Sequence, residues 1–487
     1  MTAFLFGLGF GNHQTISLLF CGGAVLVIWT TPRILKQLRT LALIGGCLLL
    51  GLSIYLLIPL RAAHNPPINW GNAVTFRQFQ WLVLREGYKD VAHGQAVQTL
   101  WRNLTGKEQA SPPAEPNPPA LPAAPEKKGI YPTLRDSLFL KQLASFNPVG
   151  EFGYFGLMLA LVGFSYGLFC SRPVSAAMLL ALLFLAVVPV LIGDPPEENI
   201  FLNEEFQVPS YLLVAAWIGL GMAAIARGVF WVAAPSRNLQ YAAVFILAVF
   251  FLAVPGVQMR TNLKTVDRRQ NYVEFDYAAN ILDSLKPNAI LFTWGDSGAF
   301  PLWYMQIVEH RRPDVTLIHV PHLSAPWYVA LLPPELFISP EPFQKYAGDM
   351  FPLIDEIVQK HWLSRPMYFD YSSAHSLTLP YELLPHGIVY KVATPGDTLD
   401  ETVWQRYRLR GILDNTRIAL DPDIKRAFLM YGSARIELGN YYLDRNELEK
   451  AANEFNEAVK FDPSLGDHIV RMLQFQDKMG GEKPAAP

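Results

Sequence analysis

Four consecutive polar residues, Asn12-His13-Gln14-Thr15, interrupt the first apolar stretch of the chain. Polar side chains are costly in hydrocarbon and tend to serve function there. Two roles suit Asn12 and His13: contact with a substrate head group, or hydrogen bonding to a neighbouring helix or helix end. Arg61 follows a long apolar run, where a guanidinium fork matches the geometry of a lipid phosphate and equally serves as an interfacial anchor that snorkels to the surface. Gly295-Asp296-Ser297-Gly298 superficially resembles the nucleophile turn of serine proteases. It is not Gly-x-Ser-x-Gly, and no His and Asp can be assigned to it in a known order. It is expected instead to cap the following helix, with Asp296 or Ser297 as N-cap. It also lacks the three-glycine spacing of a dinucleotide fingerprint. His310, His319, His322 and His361 are scattered without metal-ligand spacing, so no metal is expected. The acids Asp194, Glu197, Glu198, Glu204 and Glu205 suit a solvated loop, or a membrane-surface site in which Glu204 or Glu205 binds sugar hydroxyls or a basic acceptor.

These residues sit in a chain of 487 residues that is 51% hydrophobic and only 17% charged. Such a composition points to a membrane protein with a large polar part. The net charge of −2 supplies no basic field for nucleic acid. Runs at 38–59, 152–170, 174–193, 209–226 and 241–257 are each long enough for a hydrocarbon core of about 30 Å. With a minimal span at 14–30, six crossings are expected. Arg33, Lys36, Arg39, Arg172, Arg227 and Arg237 occupy alternate short connections, which places those connections inside. The loop 61–150 and everything after Arg260 then lie outside, which is the periplasm for a bacterial inner membrane. This topology leaves Met1 outside or within the membrane with no signal peptide before it, and an upstream helix is the expected remedy. Cys21, Cys47 and Cys170 all fall in apolar runs, so no disulfide framework is expected outside.

The loop 61–150 opens with turn chemistry and an amphipathic helical pattern over 75–85. It continues into a Pro/Ala-rich linker at 110–126 with seven prolines, and a second amphipathic stretch at 133–146 follows. After the spans at 151–258, residues 259–398 alternate helix and strand. A helix at 272–285 precedes strands at 289–293 and 315–320 around a helix at 299–309, with further strands at 367–370 and 388–392. That is a small α/β domain. From 399 to 480 the pattern is helical, beginning with a helix at about 401–413. Leu438-Gly439, Tyr442, Ala451, Phe455, Ala458 and Pro463 have the spacing of one tetratricopeptide-like repeat over about 432–465, and Arg435 departs from its apolar pattern. The expected architecture is therefore a polytopic α-helical membrane domain of about six spans, two of them in 1–60, followed by an outer α/β domain and a C-terminal α-helical tetratricopeptide-like repeat.

Several segments together resemble the bacterial family called domain of unknown function 2723, to which transmembrane protein 260 is related. They are Gly7-Leu-Gly-Phe-Gly-Asn-His-Gln-Thr15, Ile58-Pro-Leu-Arg-Ala-Ala63, Asn65-Pro-Pro-Ile-Asn-Trp-Gly71, Gln207-Val-Pro-Ser-Tyr211, Trp294-Gly-Asp296 and Arg312-Pro-Asp-Val315. The resemblance implies a membrane glycosyltransferase of the C fold class, similar to protein O-mannosyltransferases. Such an enzyme takes sugar from a polyprenyl-phosphate donor at the outer face and needs no other cofactor. A carboxylate of the first outer loop serves as base while the acceptor oxygen attacks the anomeric carbon and phosphate leaves. On this basis Asn12, His13, Arg61, Asn69 and Trp70 are the candidate substrate or lipid-phosphate contacts. The family's acidic turn and His-Pro-Pro-Gly-Tyr-Pro block do not occur here, so no catalytic base is assigned. The expectation is a truncated or split transferase, inactive by itself, whose partners are the bilayer, the donor lipid, a protein acceptor and an upstream half. The competing class is a non-catalytic envelope scaffold that binds a protein through its outer repeat.

Overall fold

The computed structural model describes residues 1–86, 138–193, 195, 197–413 and 418–480. The Pro/Ala-rich linker at 110–126 and part of the stretch at 133–146 lie outside these residues. The chain forms two compact units: Met1–His64 with Ala73–Arg260, and Asn65–Asn72 with Thr261–Pro487.

The first unit is helical: α1 (Thr2–Phe10), α2 (Leu19–Thr30), α3 (Leu38–Ala62), α4 (Phe76–Val83), α5 (Leu138–Leu143), α6 (Pro148–Cys170), α7 (Arg172–Gly193), α8 (Leu202–Ala233) and α9 (Arg237–Val266). Among the described residues α3, α6, α7, α8 and α9 are long and apolar enough to cross a membrane, five helices where six crossings were expected. The stretch Gln14–Thr30 is shorter, and its first turn, Gln14–Leu18, is a 3-10 helix that the His13 side chain caps by accepting from the Thr15 amide. At α4 the Thr75 hydroxyl accepts from the Gln78 amide, and the Gln78 side chain accepts from the Thr75 amide. This capping box satisfies two donors that a helix start leaves open.

Close backbone contact holds these helices together. A Cβ on Gly163 of α6 would sit 1.8 Å from the Trp217 carbonyl oxygen, and one on Gly221 of α8 2.1 Å from that of Leu159. Gly7 of α1 and Gly51 of α3 meet the same way, each 2.3 Å from the other helix's carbonyl oxygen. Lipid tails are as apolar as leucine, so helices in a bilayer associate through such tight packing and through interhelical hydrogen bonds.

The second unit holds β1 (Ile290–Thr293), β2 (Thr316–His319), β3 (Met367–Asp370), β4 (Leu383–His386) and β5 (Val389–Val392), in spatial order β2-β1-β3-β5-β4. β1 runs parallel to β2 and β3, whereas β5 is antiparallel to β3 and β4. Helices α10 (Val273–Ser284), α11 (Asp296–Ile307), α12 (Met350–His361) and α13 (Tyr371–Ser376) accompany the sheet, and α14 (Pro422–Leu443), α15 (Leu448–Phe461) and α16 (Leu465–Gly480) follow it. One hydrophobic core runs from Tyr277, Leu291 and Tyr368 through Trp404 to Tyr431 and Phe455, so the helical tail packs onto the α/β layer. Arg435 pairs with Glu454 at 2.5 Å and lies over the Trp404 ring.

Two sequence expectations fail here. β4 was not foreseen, because Leu383-Leu-Pro-His386 lacks the alternation of a half-buried strand and carries the proline that edge strands tolerate. The expected helix at 401–413 is only a 3-10 turn, Val403–Arg406. Beyond it Asn280 of α10 replaces helical hydrogen bonding: its side chain donates to the Arg408 carbonyl at 2.7 Å and accepts from the Arg408 amide at 2.8 Å. Arg410 is fixed in turn by the buried Asp276 at 2.6 Å.

At the end of β3 the fully buried Asp370 accepts hydrogen bonds from the Ser373 amide at 2.7 Å and from the Trp294 amide at 3.2 Å. The first caps α13 and the second holds the turn that follows β1. Burial pushes the carboxyl up to about 6 from 3.8, against those hydrogen bonds.

Two outcomes follow. Gly163→Ala should lower the thermal stability of the membrane unit by about 1–3 kcal/mol, while Gly219→Ala, which meets nothing within 4 Å, should leave it unchanged; thermal unfolding in detergent compares the two. Because the Asp370 pKa is raised in the fold, its contribution to stability is fully present below about pH 4 and is lost as pH rises through about 6. Asp370→Asn removes that dependence, so the native-minus-variant unfolding free energy should fall by about 3 kcal/mol across this window. A pH series of urea titrations reads it.

Candidate functional site

β1 lies between β2 and β3, so the chain leaves it toward one side and returns on the other. In open α/β sheets ligands bind at such a switch point, outside the carboxyl ends of the strands. A crevice of about 330 Å³ opens beside the carboxyl end of β1. Glu274 and Tyr277 of α10, Asp296, Ser297, Phe300 and Pro301 of α11, and Asp423, Ile424, Arg426, Ala427 and Met430 of α14 line it.

The turn that builds its floor differs from expectation. Gly295 is the N-cap of α11, with φ +79°, and no side chain caps the helix. A β-carbon is disfavoured at that φ. Asp296 therefore becomes the first helical residue, where the helix dipole favours a carboxylate, and partial burial raises its pKa. Ser297 is exposed, and among the described residues no hydrogen bond joins it to a histidine or carboxylate. Asp423 pairs with Arg426 at 3.5 Å.

Asn69 and Trp70 belong to the same globular unit. The Asn69 side chain is buried and donates to Asn72 Oδ1 at 3.0 Å. The Trp70 ring lies 4.5 Å from His322, 5.7 Å from Trp327 and 6.5 Å from Phe300. Asn69 thus ties the loop to itself, whereas Trp70 docks it onto the unit and also borders an apolar groove with Trp303, Tyr304 and Ile307. The histidines expected to be scattered include one close pair: His319 Nδ1 and His322 Nδ1 are 2.9 Å apart. Burial, and for His319 also its neighbour, depresses them to about 3 and about 4. Both are neutral near pH 7, and one Nδ1 donates to the other. Among the described residues no group of three or more His, Cys, Asp or Glu could hold a metal ion.

Asn12, His13 and Arg61 belong to the helical unit. Asn12 is exposed. His13 caps the 3-10 turn through Nδ1, 2.9 Å from Thr15 Oγ1, and its ring lies 5.5 Å from Phe206. Arg61 lies exposed in the last turn of α3. Sequence reasoning missed a buried polar row on α8. Gln207 donates to the Ala186 carbonyl at 3.1 Å, Ser210 donates to Gln207 at 3.2 Å, and Asn203 is buried beside them in sequence. The signal was the spacing of four and then three residues, which puts polar groups on one face of an apolar helix.

Residues 274–340 match the family described as TMEM260-associated domain 2. The chain is 23% identical over 352 residues to protein O-mannosyl-transferase tmem260 of Dictyostelium discoideum, a match covering 67% of this chain and 38% of that protein. It is 32% identical over 128 residues to protein O-mannosyl-transferase TMEM260 of Mus musculus, covering 26% of this chain and 17% of that one. The chain thus spans well under half the length of either relative. No solved structure matches it. With several helices apolar enough to cross a membrane and the associated domain at the head of its globular unit, the chain is a TMEM260-like multi-pass membrane protein.

Proposed function

We propose that the chain takes part in O-mannosyl transfer at a membrane, with the sugar drawn from a polyprenyl-phosphate carrier at the outer face. The likeness to a protein named as an O-mannosyl-transferase carries this reading, since it extends over 67% of the chain and so beyond the matched domain at 274–340. The basic residues Arg33, Lys36, Arg39, Arg172, Arg227 and Arg237 favour an inner position for their connections. The globular unit is then outer, which is periplasmic if the membrane is a bacterial inner one.

In the reaction an acceptor hydroxyl oxygen bonds to the anomeric carbon as the bond to the lipid phosphate breaks. A base takes the hydroxyl proton and the phosphate carries away the electron pair. None of Asn12, His13, Arg61, Asn69 and Trp70 is a carboxylate, so their share of the work is binding. Arg61 is suited to the leaving phosphate: it is exposed at the end of a spanning helix, and guanidinium–phosphate pairs are bidentate and charge-assisted. Asn12 and His13 are polar groups fit for the sugar, although His13 already caps a helical turn.

The test compares membranes from source cells that carry the native chain or Arg61→Ala at its own locus. Labelled mannose is offered on polyprenyl phosphate with a serine- and threonine-rich peptide. Native membranes should transfer label, and the variant should need about tenfold more donor for half-maximal rate at a similar maximal rate. No transfer by native membranes sinks the reading, and an unchanged donor dependence removes Arg61 from it.

A further inference from the structure

Helix α11 is apolar on two faces. Gly298, Ala299, Leu302 and Met305 form its buried face. On the other face Phe300, Trp303, Tyr304 and Ile307 recur at spacings of three and four residues, and Val308 extends the row at the C-cap. A surface helix normally turns a polar face outward. Here the outer row is apolar and open: Phe300 is 41% exposed, Tyr304 47% and Val308 57%. Ile68, itself 43% exposed, and Trp70 complete an apolar groove of about 300 Å³ along it. Among the described residues no charged side chain lines this groove.

The chain itself limits what can cover the row. Spanning helix α3 has 25 residues, about 37 Å at 1.5 Å per residue, and so outruns a hydrocarbon core of about 30 Å. Its Ala62 end therefore stands at the membrane surface. Ile68 follows six residues later, and because a residue spans at most about 3.6 Å, it lies no more than about 22 Å from that end. One wall of the groove is thus tethered close to lipid. The residue types suit such a place, since Trp and Tyr concentrate where a bilayer meets water, with an apolar body in lipid and a polar tip outside. Tyr304 has this division: its ring lines the groove, and its hydroxyl donates to the exposed Glu309 at 2.8 Å. A protein partner would call for about one hydrogen bond per 100–200 Å², which this row has few groups to make. We infer that the globular unit docks on the bilayer through this row, with Ile68, Phe300, Tyr304 and Val308 entering the interfacial layer of the membrane that the chain itself spans. The inference requires a membrane-spanning chain and not sugar transfer.

The full chain, with Cys21, Cys47 and Cys170 replaced by alanine, is labelled at Val308→Cys with a polarity-sensitive fluorophore and set in phosphatidylcholine nanodiscs. A label at Glu449→Cys, exposed on α15 and outside the groove lining, is the reference. The label at 308 should emit further to the blue, be quenched by a nitroxide carried on the lipid and be shielded from iodide. The label at 449 should do the opposite. Phe300→Ser should lower the ratio of docked to free unit about tenfold, the order expected for withdrawing one partly exposed aromatic ring from lipid. Its thermal unfolding should change little, because the ring is already partly in water. Ile68→Ser, on a different element, should act in the same direction and decides the matter if Phe300→Ser does not fold. Iodide access at 308 equal to that at 449 overturns the inference. So does shielding from iodide and lipid nitroxide alike, since protein then covers the groove, and so does lipid quenching that neither serine variant weakens.

Discussion

A carboxylate with no access to water stands at the centre of the globular unit. Burying an ionisable group is tolerated only when hydrogen bonds replace its hydration, and Asp370 finds them in two amides from different parts of the chain, those of Ser373 and Trp294. Each bond fixes one of the two loops that leave the sheet on opposite sides of its switch point. Ser373 adds a third tie by donating its hydroxyl to the Phe292 carbonyl at 2.9 Å. The turn after β1 is thus bound to the end of β3 before any ligand enters. Gly295 with its positive φ, the start of α11 at Asp296 and the missing β-carbon at Gly298 all follow from bringing that turn so close to a buried side chain.

Much of this frame was legible in the residues. Ala289-Ile-Leu-Phe-Thr293 and Val315 to Val320 are short apolar runs bounded by turn formers, so β1, β2 and the helix between them could be read directly, as could the run at 367–370. What escaped was set by contacts distant in sequence. Nothing local in 401–413 shows that Asn280, more than a hundred residues earlier, will take over the backbone of Arg408. Tyr277 reads as one more apolar position of an amphipathic helix, and only the packing around it reveals a buried hydroxyl with no hydrogen-bond partner among the described residues. Trp70 and Asn69 are candidate contacts through the family resemblance, and no local pattern shows that the Trp70 ring will pack against His322 and Trp327.

The two units are held by different physics. In the helical one, glycines bring backbones together and the few buried polar side chains, such as Gln207 and Ser210, bond to each other and to backbone. In the globular one, burial of large side chains dominates. Tyr431 stacks on Phe461 with centroids 5.5 Å apart, and its hydroxyl accepts from Asn280 at 3.0 Å. A small-to-large change is therefore most damaging in the first unit, and a large-to-small change in the second.

The globular unit is discontinuous in sequence, since Asn65–Asn72 belong to it while the rest of it begins only at Thr261. During synthesis at about 5–20 residues per second, this loop is made roughly 10–40 s before the surface it fastens to. Throughout that interval Trp70 has none of its aromatic neighbours. The helical segments between the two pieces must be made first, so closing the globular unit is a late event in assembly. A chaperone or a binding partner that acts early would meet this loop unfastened, and one that acts late would meet it docked.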